Sequence, residues 1–199
     1  MMTQQDRFEQ GKKIPLVEAF YTIQGEGFHT GKSAYFIRIG GCDVGCSWCD
    51  TKYSWNPDLH PPVPVDNIIE NARKHPASAV VVTGGEPLMV NLDPLTHGLK
   101  AYGIMTFLET SGAYPLSGSW DWICLSPKRN APPVGDIHHK ADELKVIIAG
   151  EEDLQWAEKH ASMVSEDCYR YLQPEWSVSQ EILPLIIEFV KDNPVWQVS

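Results

Sequence analysis

Three of the five cysteines lie close together in the segment CDVGCSWCD at residues 42–50. Cys42, Cys46 and Cys49 follow the spacing C-x3-C-x2-C. Thiolates are ligands for zinc and for iron–sulfur clusters. A closed tetrahedral site needs four protein ligands, and this segment supplies only three. The spacing therefore predicts a metal centre whose fourth position is filled from elsewhere.

Three interpretations of the cysteine segment are open at this point. The first is a structural zinc site completed by a distant histidine such as His29 or His60, but zinc sites usually combine paired C-x2-C units and the chain has no second pair. The second is a group of three buried structural thiols. The third is a 4Fe–4S cluster with thiolates on three irons and the fourth iron open to a non-protein ligand.

A glycine pair follows an apolar run further along the chain. The segment TGGEP at 83–87 comes directly after AVVV at 79–82. Two glycines let the backbone approach a ligand closely, and carbonyl groups at a strand end can accept hydrogen bonds from an ammonium group. Taken alone, the segment is equally typical of a plain strand-to-helix turn.

The bulk composition narrows the class of protein. The chain has 199 residues, 43% of them hydrophobic, and a net charge of −10, which is typical of a soluble globular protein. We predict a single domain over residues 1–199. The acidic balance argues against direct binding to nucleic acid or to a membrane surface. The N-terminus lacks the apolar core of a secretory signal and no apolar run could span a bilayer, so we predict a cytoplasmic location in which thiols stay reduced.

Short apolar runs alternate with helical patterns, which predicts parallel strands joined by right-handed crossovers. We predict strands at 33–40, 78–84, 103–110, 120–126, 143–150, 168–174 and 195–199, and helices at 65–75, 92–102, 151–161 and 179–193. Asp66 is the expected N-cap of the first helix, Pro184 the expected kink or start of the last, and 57–67 a Pro-rich loop. Six or seven such units favour an α/β barrel or part of one.

Polar and glycine-rich segments follow nearly every predicted strand. These are GGC at 40–42, TGGEP at 83–87, ETSG at 109–112, SPK at 126–128, AGEED at 149–153 and QPEWS at 173–177. In parallel α/β proteins the carboxyl ends of the strands carry the functional site. We therefore predict that the cysteine segment and these strand ends surround one site.

The cysteine spacing with Trp48 just before the last cysteine, together with the GGEP segment, resembles the radical S-adenosylmethionine superfamily. In that superfamily the amino and carboxylate groups of S-adenosylmethionine chelate the open iron of a 4Fe–4S cluster. The resemblance implies that the cosubstrate is the missing fourth ligand. It also implies an α/β fold, a modified partial (β/α) barrel of the radical S-adenosylmethionine type.

Longer segments resemble the 7-carboxy-7-deazaguanine synthase family. They are residues 18–55 with QGEG and CDT, followed by VVVTGGEPL, TFLETSGA, LSPK, ELKVII and YLQPEW, and so cover most of the chain. The resemblance implies conversion of 6-carboxy-5,6,7,8-tetrahydropterin to 7-carboxy-7-deazaguanine with loss of ammonia, initiated by a 5′-deoxyadenosyl radical and assisted by Mg2+. The product feeds queuosine and other deazapurines. A homodimer and a reductant protein such as flavodoxin or ferredoxin are also implied.

The resemblance carries over residue by residue. It implies cluster ligands at Cys42, Cys46 and Cys49, a magnesium ligand at Thr51 with Asp50 in support, and pterin contacts at Ile23, Gln24, Gly25, Arg38 and Thr83. Contacts to S-adenosylmethionine are implied at Gly85, Ser126, Pro127, Lys128, Gln173 and Pro174, with Glu86 in the same motif. Glu109 matches a position that binds a ribose or the pterin ring, or else caps a helix.

The residue types suit these roles. An arginine in the middle of an apolar strand is unexpected unless it faces a polar cavity, and the fork of a guanidinium matches a carboxylate. The amide of Gln24 suits the alternating donors and acceptors of a pterin edge. Magnesium prefers oxygen ligands and often keeps water and substrate in its shell, which suits Thr51.

Two other functions share part of this pattern. A glycyl-radical-enzyme activase would have the same cysteine spacing, but a small carboxylated substrate explains QGEG, Arg38 and Thr51 better than a peptide does. A non-catalytic iron–sulfur electron carrier normally has four protein ligands and no use for GGEP. Members that resemble this chain usually continue beyond the final Val-Ser with a tail whose histidine reaches the substrate. This chain stops at Ser199, so the sequence is either truncated or lacks the tail, and closure of the pterin site is left open.

Two further expectations concern residues outside these motifs. Cys124 and Cys168 lie in apolar segments and are expected in the core, since free cysteines are often buried. His138, His139 and Lys140 are expected on a solvated loop.

Overall fold

A computed structural model of the protein describes residues 10–199, and within them nine strands form one sheet. The strands are β1 (Lys13–Ile23), β2 (Ser33–Ile39), β3 (Pro62–Pro64), β4 (Ala79–Gly84), β5 (Met105–Thr110), β6 (Trp122–Leu125), β7 (Glu143–Ile148), β8 (Tyr169–Pro174) and β9 (Trp196–Val198). The helices are α1 (Val65–Ala72), α2 (Asp93–Ala101), α3 (Ile137–Lys140), α4 (Glu152–Ala161) and α5 (Ser179–Asp192).

The sheet order is β3-β1-β2-β4-β5-β6-β7-β8-β9. From β2 to β9 every neighbouring pair is parallel, so the predicted strands are all present and the α/β fold class is confirmed. β1 and β3 add an antiparallel edge that the sequence did not predict. The reason is that β1 lies outside the alternation of strands and helices from which the parallel strands were predicted, while β3 falls inside the expected Pro-rich loop.

Two helix boundaries differ from the predictions. α1 begins at Val65 with Pro64 as its N-cap, so the assignment of that cap to Asp66 is wrong. The fixed φ of proline makes the chain turn into the helix before Asp66. The Asp66 carboxylate lies in the first turn, where its negative charge interacts favourably with the positive end of the helix dipole. α5 begins at Ser179, so Pro184 is inside the helix and does not start it.

His138, His139 and Lys140, which were predicted to form a solvated loop, lie within the short helix α3. His138 is 5% exposed, and its Nε2 lies 2.8 Å from Nδ1 of His160 on α4. The prediction is therefore wrong for His138, because the helical turn directs its ring against α4. His139 and Lys140 are exposed, as expected.

The two faces of the sheet are packed differently. Alternate residues of a strand point to opposite faces. The main core forms on the face covered by α1, α2, α4 and α5, where the strands contribute aliphatic side chains such as Ile37, Val80 and Leu144. The other face holds a smaller cluster of Ala34, Ala79, Val81 and Phe107 near the beginning of the strands. The far end of that inner face is left for polar residues. Among the described residues, no helix combines the length and apolar character needed to cross a bilayer.

Candidate active site

A cavity of about 520 Å³ opens on the inner face of the sheet, at the carboxyl ends of the parallel strands. It is lined by nearly all the residues predicted to bind a cluster, cofactor or substrate: Ile23, Gln24, Gly25, Arg38, Cys42, Cys46, Cys49, Asp50, Thr51, Thr83, Gly85, Glu86, Glu109, Ser126, Lys128, Gln173 and Pro174. Pro127 is buried and does not line the cavity. The strand-end segments of the sequence thus surround one space.

The strand register places several of these residues in one row. Arg38 on β2 is paired with Thr83 on β4, the pairing of β4 with β5 brings Glu109 next to Thr83, and Glu109 is paired with Cys124 on β6. All four line the cavity, so their side chains share the inner face. Neighbouring strands are ~4.8 Å apart. The cavity floor is therefore a row of polar side chains across adjacent strands.

The cysteine segment is an irregular loop tied down at several points. The backbone N–H groups of Gly41 and Cys42 donate to the carbonyls of Ser54 and Trp55 over 2.7 and 3.1 Å. From the other side, Asn130 donates from Nδ2 to the Gly45 carbonyl over 3.0 Å. Gly41 has φ +112° and Gly45 has φ +70°, a conformation that glycine adopts without strain. The loop therefore presents its three thiols from a defined backbone.

A further bond to the cysteine loop comes from Tyr114, which lies in the loop after β5. The hydroxyl of Tyr114 donates to Oδ2 of Asp43 over 2.5 Å. This hydrogen bond, aided by partial burial and the Asp43 charge, raises the pKa of Tyr114 to about 12. The tyrosine therefore stays protonated as a donor, and Asp43 anchors the cysteine loop to the loop after β5.

The GGEP segment is packed directly onto the cysteine loop. A Cβ atom on Gly85 would collide with the Gly41 carbonyl and lie 2.7 Å from Cβ of Cys42. The Gly85 N–H donates to the Ile39 carbonyl over 2.9 Å and the Glu86 N–H to the Gly41 carbonyl over 2.8 Å. Glycine is needed at residue 85 because the two motifs touch through their backbones.

Glu86 is a buried anchor of this junction. Its Oε1 accepts from Thr110 Oγ1 (2.6 Å) and the Leu88 N–H (3.0 Å), and its Oε2 accepts from the N–H (2.8 Å) and Oγ (2.5 Å) of Ser111. Both carboxylate oxygens are thus already used by the protein. Glu86 lines the cavity but positions the GGEP segment against the end of β5.

The thiols fit a cluster better than a single metal ion. Among residues 10–199, no group of three His, Cys, Asp or Glu side chains is arranged to hold one ion. A 4Fe–4S cluster places each thiolate on a different iron, so the sulfur atoms need not converge on one point. All three cysteines are free and partly exposed to the cavity. Burial raises the thiol pKa of Cys42 and of Cys46.

The two histidines considered for a zinc site are used elsewhere. The His29 ring stacks on Phe107 at 4.4 Å between centroids, and a ring nitrogen of His60 lies 2.9 Å from the Tyr53 carbonyl oxygen. Neither histidine lines the cavity. The structure therefore gives no support to a zinc site built from the cysteine segment and one of these rings.

Lys128 and Ser126 follow β6 at the mouth of the cysteine loop. The Lys128 ammonium donates to the carbonyl and to Oγ of Ser126, each over 2.6 Å, and lies 5.7 Å from the Trp48 ring centroid. Burial lowers the pKa of Lys128 to about 8, and the nearby Cys46 thiol opposes that shift. The segment offers a cation and a hydroxyl beside the thiols.

Thr51 and Asp50 are the residues predicted for magnesium. Thr51 places its hydroxyl 3.5 Å from the sulfur of Cys49, and Asp50 is exposed at the cavity wall. A hydroxyl and a carboxylate are oxygen donors of the kind that magnesium accepts, and this ion usually completes its shell with water and substrate. The donor set is thus compatible with the ion but incomplete on its own.

Arg38 is paired in this structure. Its Nε donates to Oε1 of Glu18 on β1 over 2.7 Å, and Tyr53 also donates to that oxygen over 3.3 Å. The two terminal nitrogens of the guanidinium form no hydrogen bond with any residue from 10 to 199. They are available to a ligand in the cavity, so the ion pair and a binding role are compatible.

Sequence reasoning missed a polar network on the far side of the cavity. Lys145 on β7 lies with its ammonium 2.7 Å from Oε2 of Glu26 and 3.9 Å from Oε1 of Glu109. Gln173 donates to the other oxygen of Glu26 over 2.9 Å. The signal was present, since Lys145 is a cation inside the apolar strand ELKVII, as Arg38 is inside AYFIRIG.

Cys124 and the backbone just after the QGEG segment share one hydrogen-bond partner, Glu143. Cys124 is buried, as predicted, but it also lines the cavity and donates to Glu143 over 3.5 Å. The same carboxylate accepts from the Phe28 N–H over 3.3 Å, and the Gly27 N–H donates to Oγ of Ser199 over 3.0 Å. These bonds fix the end of the QGEG segment to the beginning of β7 and to Ser199. Cys168 belongs to the main core, as predicted.

Comparisons with known proteins agree with this site. A family model described as "Radical SAM superfamily" matches residues 36–125, which include the cysteine loop and GGEP. The 7-carboxy-7-deazaguanine synthase of Flavobacterium psychrophilum is 55% identical over 191 residues, which are 96% of this chain and 90% of that protein. The 7-carboxy-7-deazaguanine synthase of a Synechocystis species is 45% identical over 185 residues, 93% and 88% of the two chains.

The fold is similar to that of a solved structure over its whole length. The crystal structure of QueE from Escherichia coli matches with a TM-score of 0.83 and 28% sequence identity, covering 100% of this chain and 98% of that one. The similarity therefore includes the antiparallel edge as well as the parallel strands that form the cavity.

Proposed function

We propose that this chain, which belongs to the 7-carboxy-7-deazaguanine synthase family of radical S-adenosylmethionine enzymes, converts 6-carboxy-5,6,7,8-tetrahydropterin to 7-carboxy-7-deazaguanine. Ammonia is lost in the reaction. Family membership sets aside the activase and the electron carrier as interpretations. The observation that carries the proposal is the single cavity that joins the cysteine loop, GGEP and the Arg38 row. Residues 1–199 act as one domain in this proposal.

The residues around the cysteine loop hold the cofactors. Cys42, Cys46 and Cys49 bind the 4Fe–4S cluster, and Gly85, Ser126, Pro127, Lys128, Gln173 and Pro174 form the site for S-adenosylmethionine. Together, cluster and cosubstrate supply a 5′-deoxyadenosyl radical when they are bound and reduced. The close packing of Gly85 on Cys42 supports this assignment, because it brings the GGEP backbone next to a cluster ligand. Pro127 acts by fixing the backbone between Ser126 and Lys128, since it does not reach the cavity.

The residues of the row hold the substrate. Arg38 binds the pterin carboxylate with the two guanidinium nitrogens that have no partner among residues 10–199, in a bidentate arrangement that a guanidinium favours. Gln24 and Gly25 of the QGEG segment and Ile23 just before it contact the pterin, and Thr83 contacts it from the cavity floor. Gln24 is 8% exposed and its Nε2 has no partner among the described residues, which supports a role in ligand binding.

Four further parts complete the proposal: the magnesium site, the reductant, the oligomeric state and the fate of the product. Thr51 binds Mg2+ with support from Asp50, and substrate and water fill the rest of the shell. A flavodoxin or ferredoxin supplies electrons, and the chain acts as a homodimer. The product enters the pathway to queuosine and related deazapurines.

An anaerobic assay tests the proposal. Protein reconstituted with iron and sulfide is incubated with dithionite, S-adenosylmethionine, Mg2+ and 6-carboxytetrahydropterin. We expect 7-carboxy-7-deazaguanine from the wild type and from Cys168→Ala, and none from Cys46→Ala, because Cys46 lines the cavity and Cys168 belongs to the main core. 5′-Deoxyadenosine without the deazapurine would contradict the substrate assignment. Absence of both products from protein with a formed cluster would contradict the reaction class.

A further inference from the structure

Lys145 is buried beneath two carboxylates on the wall of the cavity. Its side chain is 8% exposed, whereas the side chains of Glu26 and Glu109 are 49% and 35% exposed. The ammonium is therefore on the protein side and the carboxylates are on the open side. This arrangement differs from a surface ion pair, in which the lysine would be the more mobile and exposed partner.

Each carboxylate is held on both of its oxygens. Glu26 accepts from Lys145 on Oε2 over 2.7 Å and from Gln173 on Oε1 over 2.9 Å. Glu109 faces Lys145 with Oε1 at 3.9 Å and accepts from the Thr83 hydroxyl on Oε2 over 3.2 Å. The two acidic groups come from different parts of the chain and are joined through one ammonium.

The electrostatics favour the charged forms of Lys145 and Glu26. Burial alone would lower the pKa of Lys145, but the Glu109 and Glu26 carboxylates and the nearby Cys124 outweigh it and raise the pKa well above its usual value. Burial likewise opposes ionisation of Glu26, and Lys145 outweighs it, so the Glu26 pKa is lowered. Two carboxylates and one ammonium leave a local excess of negative charge, which favours N–H donors over an anionic group on a ligand.

Two buried amide atoms beside the trio have no partner among residues 10–199. They are Nε2 of Gln24, a donor, and Oε1 of Gln173, an acceptor. Unsatisfied buried polar atoms are rare in folded proteins. Both residues line the cavity, so the wall around Glu26 is ready for a ligand that offers several hydrogen-bonding groups along one edge.

We propose that Lys145 is a positioning residue that holds Glu26 and Glu109 as paired acceptors for the 2-amino and ring N–H edge of the pterin. The inference deepens the proposed function and rests on it. Arg38 and Glu109 are two strands apart in the row, or ~10 Å between backbones. This separation suits a bicyclic ring with its carboxylate at Arg38 and its aminopyrimidinone edge at the acidic pair.

The acidic pair also sets specificity. A site that accepts hydrogen bonds from a substrate N–H rejects an analogue that presents an oxygen there, because two acceptors then face each other. The matched analogue is 6-carboxytetrahydrolumazine, in which an oxo group replaces the 2-amino group. We therefore infer a preference for the pterin that depends on Lys145.

The test compares Lys145→Met with Lys145→Arg and with Glu26→Gln, a substitution at a half-exposed position that keeps size. Binding of the stable oxidised ligand 6-carboxypterin to reconstituted holoenzyme is measured by calorimetry, and KM and kcat are measured with 6-carboxytetrahydropterin. The control is Lys100→Met, which removes a lysine–aspartate ion pair with Asp121 outside the cavity. Thermal unfolding of each variant shows that it is folded.

We expect Lys145→Met and Glu26→Gln to raise the Kd for 6-carboxypterin and the KM by about 10- to 100-fold, the range for losing a hydrogen bond to a charged group. Formation of 5′-deoxyadenosine without pterin should fall by less than the pterin affinity does in Lys145→Met. Lys145→Arg should recover much of the affinity, because arginine keeps the cation. The preference over 6-carboxytetrahydrolumazine should fall in Lys145→Met.

The outcomes separate this inference from the function on which it rests. If the wild type binds and converts the pterin and both Lys145→Met and Glu26→Gln match it within twofold, the role of Lys145 is wrong and the function stands. Equal losses of pterin-independent 5′-deoxyadenosine formation and of pterin affinity would also overturn it, since they indicate general damage. If the wild type neither binds 6-carboxypterin nor converts the tetrahydropterin, the proposed function itself fails.

Discussion

The carboxylate of Glu86 shows how a conspicuous motif residue can serve the fold of the site. It is 1% exposed and accepts hydrogen bonds from two backbone N–H groups and two hydroxyls. Backbone donors cannot turn away from a poor partner, whereas hydroxyls can rotate. The residue therefore fixes the distance between GGEP and the end of β5, and through Gly85 the position of the cysteine loop.

We expect Glu86→Gln to lower the free energy of unfolding by about 2 kcal/mol, because the amide NH2 group would face at least one N–H donor and leave it unpaired. Urea unfolding of the protein measures the change. Glu70→Gln on α1, where the glutamate forms an exposed ion pair with Arg73, should shift stability by no more than about 0.5 kcal/mol. Equal effects of the two substitutions would show that the Glu86 bonds contribute little.

Single residues also show where sequence reasoning succeeds. Arg38 was predicted to face a polar cavity because a cation in an apolar strand needs a polar environment, and the cavity is there. Lys145 carries the same signal. It was missed because its partners, Glu26 and Glu109, are 119 and 36 positions away in the chain and become neighbours only through the sheet. Residue types thus predict that a polar site exists, and the strand order decides which groups meet there.

At the scale of elements, the contact between α3 and α4 was the one most clearly misjudged. The segment IHHK looks polar, yet His138 is buried against His160, which is 3% exposed and lies edge-on to Trp156 at 4.2 Å between ring centroids. Burial, with contributions from His138, Lys159 and Arg129, lowers the pKa of His160 to about 4, and burial also lowers that of His138. The pair is therefore packed in its neutral form.

This packing predicts a loss of stability in acid. Between pH 6.5 and about 4 the unfolded chain binds a proton at His160 that the folded chain does not, so the folded state is favoured above that range and loses stability as the pH falls through it. The loss from His160 should reach about 2 kcal/mol by pH 5. Urea unfolding from pH 7.5 to 5 should show a smaller decrease in His160→Gln than in wild type.

The control for that measurement is His97→Gln, because His97 is an exposed histidine on α2 and is not part of the contact between α3 and α4. Its unfolding free energy should follow the wild-type dependence on pH. If His160→Gln and wild type lose the same stability between pH 7.5 and 5, protonation of the pair is not what weakens the protein in acid.

The elements themselves were predictable to different degrees. β4 and β7 are apolar on both faces over most of their length, and such runs predict buried parallel strands well. β1 has exposed residues through its second half because it pairs near the open edge of the sheet, and its sequence gives no clear periodicity. β1 is stabilised by its pairing with β2 and β3, so the pattern of its own residues does not predict a strand.

On the scale of the whole molecule, the cavity depends on every parallel strand from β2 to β8. Each of them, or the loop that follows it, contributes lining residues, from Arg38 at one side to Gln173 at the other. A ligand that contacts several of these segments binds only the folded sheet. Binding must therefore stabilise the fold as a unit, since a ligand selective for the native state shifts the unfolding equilibrium by mass action.

The last prediction follows from this linkage. At 100 times its Kd, S-adenosylmethionine should stabilise the reconstituted protein by about 2.7 kcal/mol, which corresponds to a rise in Tm of roughly 5–10 °C for a chain of this size. Cys46→Ala should lose most of that rise, because the cosubstrate then lacks a complete cluster to chelate. Cys168→Ala, which changes a core cysteine remote from the cavity, should keep the full shift even if its own Tm is lower. An equal rise in Cys46→Ala and wild type, measured by anaerobic calorimetry, would mean that S-adenosylmethionine binds without the cysteine loop and that the cluster ligands are wrongly assigned.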